Sequence, residues 1–163
     1  MPAAIAPSPP DLLSGNLMTA MNTTASAILL VGRILFVALF AFSARGHIVN
    51  HDRFVTTARG RIPLPYVAGW PVGVWLLLAD LLMVLGIWAE VAALMMAAFL
   101  IPTTLLFHAF WTFSDPVQRR TQQGNFYRNV SLLGATLALF ALFSVVGAGR
   151  FAITGPVLKL GQP

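Results

Sequence analysis

The sequence predicts an all-α membrane protein, a four-transmembrane-helix bundle of up-down-up-down topology. Three observations carry this expectation. Apolar residues make up 58% of the 163 residues and charged residues only 9%. A typical soluble domain has ~45–50% and ~25%, so this chain has too few charges to cover a water-exposed surface, and it is too apolar to be disordered. The mean hydropathy is +0.80. Finally, four apolar runs each approach the ~20 residues that cross a hydrocarbon core ~30 Å thick.

Taken in order, residues 1–25 form a low-complexity, proline-rich N-terminal tail expected to be disordered. It has no basic residue ahead of an apolar core and is a poor signal peptide; Met18 and Met21 are alternative starts. The first run spans Ser26–Ala44 and is broken by Arg33. A longer connection, residues 45–69, carries Arg45, Arg53, Arg59 and Arg61. Its segment Arg61-Ile62-Pro63-Leu64-Pro65 is extended, because each proline disfavours helical geometry in the residue before it. The second run, Trp70–Ala89, contains Asp80, and the third, Val91–Trp111, contains Pro102. Between them Gly86-Ile87-Trp88-Ala89-Glu90 leaves room only for a tight turn, so these two runs form an antiparallel hairpin with Trp88 and Glu90 at a headgroup interface. Residues 112–129 read as a second long loop bearing Arg119, Arg120 and Arg128. Asn129 reads as the cap of the fourth run, Val130–Ala148. Residues 149–163 are a C-terminal tail. The transmembrane domain is therefore 26–148.

The formal charge is +5 and the chain has no cysteine. Absence of cysteine removes disulfides, thiolate zinc sites and Cys-ligated iron–sulfur clusters. No aromatic-interleaved basic patch lies outside the apolar runs, so the charge indicates topology and anionic headgroups rather than nucleic acid. The arginines concentrate in the two long loops, while the termini hold Arg150 and Lys159. The positive-inside rule then places the long loops in the cytoplasm and both termini outside.

Buried polar residues mark candidate sites. Arg33 and Asp80 lie at matching depths, ~10 Å and ~13 Å from the same side at 1.5 Å per residue. A lone charge at mid-membrane costs at least ~2.5–3.5 kcal/mol, so the two are expected to face each other as an intramembrane pair. The alternatives are a snorkelling Arg33 with a protonated Asp80, or a functional proton site. The first and third runs cross in the same direction, which brings His47 and His51 to the same membrane face as His108 and Trp111, with Arg128 at similar depth. His47 and His51, four residues apart, share a face if the first helix continues. This rim has the chemistry to bind a quinone headgroup and handle its protons, to ligate a haem through two imidazoles, or simply to anchor helix ends as an interfacial belt. No carboxylate sits three residues from a histidine on a shared face, so no metal site is expected. Pro102 breaks the third helix and makes either a bent packing helix or a hinge or cavity wall.

In sequence order, the chain carries Arg33-Ile34-Leu35-Phe36, Gly60-Arg61-Ile62-Pro63-Leu64-Pro65 and Leu81-Leu82-Met83-Val84-Leu85-Gly86. These are followed by His108-Ala109-Phe110-Trp111, Gln123, Phe126-Tyr127-Arg128-Asn129 and Leu132-Leu133-Gly134. By this order and spacing, residues 26–148 resemble the DoxX family of small four-helix bacterial membrane proteins. The resemblance implies an integral subunit of a quinone-linked oxidoreductase in the bacterial inner membrane, contributing anchoring and quinone contact, with no covalently bound cofactor. Its partners would be the lipid bilayer and a larger membrane complex or further copies of the chain. Two other readings stand beside it: a non-catalytic structural or assembly subunit, and a small-molecule or lipid permease. Autonomous catalysis is not expected, because no nucleophile constellation or cofactor motif is present.

Overall fold

A computed structural model describes residues 23–160. The expected N-terminal disorder lies outside the described residues except for Thr23–Ala25, which already belong to the first helix. Among the described residues there are five α-helices and no strand. These are α1 (Thr23–Val49), α2 (His51–Ala58), α3 (Trp70–Leu85), α4 (Ala89–Pro102) and α5 (Pro116–Val146). A 3₁₀ turn at Pro65–Ala68 leads into α3, a π-helical turn at Thr103–Phe107 follows α4, and a second 3₁₀ turn spans Phe110–Thr112.

Three segments are long and apolar enough to cross a membrane: Thr23–Val49, Ala89–Thr112 and Pro116–Val146. The chain is thus an all-α protein suited to a membrane location. Helix α3 is apolar but has only 16 residues, ~24 Å at 1.5 Å per residue.

Each helix buries a narrow stripe. On α1 the buried residues are Ser26, Arg33, Val37, Phe40, Ala44 and His47. Their spacing of three, four and seven is one helical face. The opposite face is also apolar: Leu35 is 70% and Phe42 74% exposed. A helix that is hydrophobic all round belongs in an apolar solvent. The core joins Phe40 and Ala44 of α1 to Leu76, Ala79 and Met83 of α3, Ala92, Ala93, Met96 and Leu100 of α4, and Phe143 of α5. The small α4 residues let backbones approach closely. The α1–α3 seam is tight at Gly73, where a Cβ would lie 2.5 Å from Ile48 and 2.8 Å from the Ala44 carbonyl.

The hairpin between α3 and α4 closes as expected from its length. Gly86 adopts a left-handed conformation (φ 64°, ψ 35°), and the Gly86 and Ile87 amides donate to the Met83 and Leu82 carbonyls. This is a Schellman closure. Glu90, expected at a headgroup interface, is instead 1% exposed. The segment after α5 turns back over this end, and Val157 and Leu158 donate their amides to Glu90 Oε1 at 2.6 and 3.2 Å. Ile153 and Thr154 donate to the Leu85 and Gly86 carbonyls, and Trp88 donates its amide to Thr154 Oγ1 at 2.9 Å. Residues 149–160 are therefore a strap packed on the turn rather than a free tail.

Two expected loops are largely helical. Residues 45–69 contain the end of α1, α2 and the 3₁₀ turn, and residues 116–129 begin α5. Asn129 is accordingly no cap; it is buried inside α5. The cap is Asp115, whose Oδ2 accepts the Gln118 amide at 2.8 Å, with Pro116 opening the first turn. Replacing Asp115 by Ala is expected to cost about 1 kcal/mol. Hydrogen exchange should show faster exchange in the first turn of α5 and no change beyond Arg128.

Candidate functional site

The arginine-rich end lines a partly open cavity of about 850 Å³. Its walls come from every major element. Helix α1 contributes Leu39, Phe40, Phe42, Ser43, Gly46 and His47, α2 contributes Phe54 and Thr57, and the following loop contributes Ile62, Val67 and Ala68. The start of α3 adds Val72 and Trp75, the end of α4 adds Ala98 to Pro102, and α5 adds Gln122, Arg128, Asn129 and Leu132. The lining is mostly apolar, with a few polar groups from separate helices, as in most small-molecule sites. Pro102 and Thr103 are part of the wall. Just past the break, Thr104 is buried and donates its hydroxyl to the Leu100 carbonyl at 2.6 Å. Arg61 links two walls by donating from Nη1 to the Leu106 carbonyl at 3.0 Å, with its guanidinium 5.6 Å from the Phe107 ring centroid.

His47 and His108 both line this cavity. His47 Nδ1 lies 2.6 Å from the Ala68 carbonyl. Its ring stacks on Phe54 at 3.9 Å and meets Phe99 edge-on at 5.8 Å. His108 Nδ1 lies 2.7 Å from Gln122 Oε1. Arg128 is exposed and lines the cavity; Asn129 is 6% exposed and lines it more deeply.

His51 and Trp111 stand apart from the lining. Helix α1 ends at Val49, and Asn50 (φ −108°, ψ 40°) breaks the register before α2, so His47 and His51 do not continue one face. His51 Nδ1 instead accepts the Trp70 amide at 3.1 Å. It thereby satisfies a free donor at the start of α3 and packs against Tyr66. A side chain on Gly69 would run into the His51 ring, so this contact requires glycine. Trp111 is 54% exposed and joins an aromatic cluster with Phe110 and Phe126, at 5.1 and 5.6 Å between centroids. That cluster fits the interfacial-belt role.

Arg33 and Asp80, expected to face each other, are both buried, and no hydrogen bond joins them. Arg33 is 1% and Asp80 6% exposed, on the packed faces of α1 and α3. Arg33 Nη1 donates to the Met83 carbonyl at 3.3 Å, one helical turn past Asp80. Arg33 Nε and Nη2 and both Asp80 oxygens have no hydrogen-bond partner among the described residues, so a direct hydrogen-bonded pair is not formed. The guanidinium reaches past Asp80 to the C-terminal end of α3, where the Met83 carbonyl accepts it on a second lone pair beside the Gly86 amide.

Sequence reasoning missed Gln122 as a site residue and misplaced Asn129. The available signal was their spacing of seven, continued by buried Thr136; it marks one face only if the helix begins well before Val130. Among the described residues no group of three or more His, Cys, Asp or Glu could hold a metal ion. No family model, curated protein or solved structure matches this chain.

Proposed function

We propose that this chain is a DoxX-like integral membrane subunit of a quinone-linked oxidoreductase, and that it holds a quinone headgroup in the cavity between His47 and His108. The observation that supports this best is the cavity itself: about 850 Å³ of mostly apolar space within the ~300–1,000 Å³ typical of ligand sites, with two imidazoles, Asn129 and Arg128 on its wall. A substituted ring with a hydrocarbon tail matches such a lining. Polar groups fix the ring, and Phe40, Phe99 and Leu132 offer contact to the apolar part.

In this reading the apolar exterior faces lipid and α3, extended by the 3₁₀ turn before it, completes a fourth crossing. The bundle is then up-down-up-down in a bacterial inner membrane, with the arginine-rich end cytoplasmic. The histidines act as binding groups; electron transfer belongs to partner subunits.

Purification in mild detergent followed by solvent extraction is the test. About one ring ligand per chain, counted as quinone plus quinol, is expected. His47→Ala and His108→Ala should each lower occupancy, because a lost buried hydrogen bond costs about 1–3 kcal/mol, about 5- to 150-fold in affinity. A wild-type protein free of both quinone and quinol that still co-purifies with a larger complex would replace this reading with the structural-subunit one.

A further inference from the structure

We infer that the cavity selects the reduced, dihydroxy form of its ring ligand over the oxidised dicarbonyl form. The inference rests on the quinone-site reading above. Its origin is the proton placement on the His47 imidazole. The Ala68 carbonyl, 2.6 Å from His47 Nδ1, offers only lone pairs, so in the neutral ring the proton sits on Nδ1 and Nε2 is an acceptor. His108 Nδ1 meets the Gln122 side-chain amide at 2.7 Å, a group that can accept or donate, so His47 is the cavity imidazole whose proton its partner places. Neither Nε2 has a hydrogen-bond partner among the described residues. His51 is the contrast four residues from His47: its Nδ1 accepts a backbone amide, so its proton is on Nε2, and it lies outside the cavity lining.

The His47 imidazole on the cavity wall is thus held as an acceptor. A ring hydroxyl donates to an imidazole nitrogen and still accepts from Arg128 or from the Asn129 amide. A quinone carbonyl can only accept, so against His47 Nε2 it sets lone pair against lone pair and leaves both partners unsatisfied. The stacking of His47 on Phe54 and its burial hold the ring in place, so the acceptor cannot be exchanged for a donor by a simple flip.

The experiment measures anaerobic binding of a decyl-tailed benzohydroquinone and of its oxidised quinone to the full chain in detergent. The hydroquinone should bind about tenfold more tightly, the equivalent of one net hydrogen bond. His47→Gln should bind both forms with a ratio near one, because an amide can present either its oxygen or its NH₂. Nitrogen-15 spectra of labelled histidine should show His47 protonated at Nδ1 and bare at Nε2. Equal binding, tighter quinone binding, or a His47 proton on Nε2 would overturn the inference while leaving the quinone site standing. Failure of both forms to bind would overturn the site and this inference with it.

Discussion

Gly86→Ala is expected to destabilise the protein by about 2–5 kcal/mol, combining the ~1–2 kcal/mol of a left-handed L-residue with the ~1–3 kcal/mol of overpacking. The position has φ 64°, and its Cβ would meet Arg33 Nη1 at 2.5 Å, Ala152 Cβ at 2.6 Å and Ala152 Cα at 2.7 Å. The guanidinium can move only by giving up its hydrogen bond to the Met83 carbonyl. Ala152 can move only by lifting the strap, whose neighbouring amides bond to the Leu85 and Gly86 carbonyls. The substitution therefore strains the turn, the buried arginine and the strap together. Unfolding of the detergent-solubilised protein by SDS or heat should show the loss, and limited proteolysis should cut within residues 149–160. A midpoint unchanged from wild type would mean that this packing does not exist in solution.

Glu90→Ala is the second large effect, about 3–6 kcal/mol, because a carboxylate that accepts two amides carries charge-assisted hydrogen bonds of ~1.5–3 kcal/mol each. One oxygen of this buried side chain receives both Val157 and Leu158. Truncation leaves the Val157 and Leu158 amides without their acceptor. Amide exchange should accelerate at Val157 and Leu158 and spread to Ile153 and Thr154, while the α1–α3 seam near His47 stays protected. Glu90→Gln keeps an acceptor oxygen and should recover at least half of the lost stability. Equal damage from Gln and Ala would show that charge, rather than the oxygen's position, secures the strap.

Much of the architecture was legible because lipid solvation acts on composition before it acts on geometry. Runs of apolar residues long enough to span a bilayer emerge as helices in the structure, since a backbone without water must satisfy itself internally. The Gly86 turn and the wall-forming break at Pro102 follow from local chemistry, a left-handed closure in one case and a missing donor in the other. Helix ends were less legible. The polar residues from Gln118 to Arg128 lack an apolar run yet continue α5 from Asp115, because helix geometry needs a cap and good backbone neighbours rather than hydrophobicity. The strap was illegible for a related reason: its contacts are single amides reaching Glu90 from more than sixty positions away, and no local pattern encodes them.

By itself the sequence determined the solvent of this protein, the number of apolar runs and the end at which its arginines and two of its histidines gather, because each of these depends on residue type along the chain. Only the tertiary structure decided which imidazoles share the cavity. His47 and His51 have the same side chain and nearly the same position. One donates to the Ala68 carbonyl on the cavity wall and the other accepts the Trp70 amide outside the lining. A break at Asn50 separates them, and the partner each ring meets across the fold sets where its proton resides.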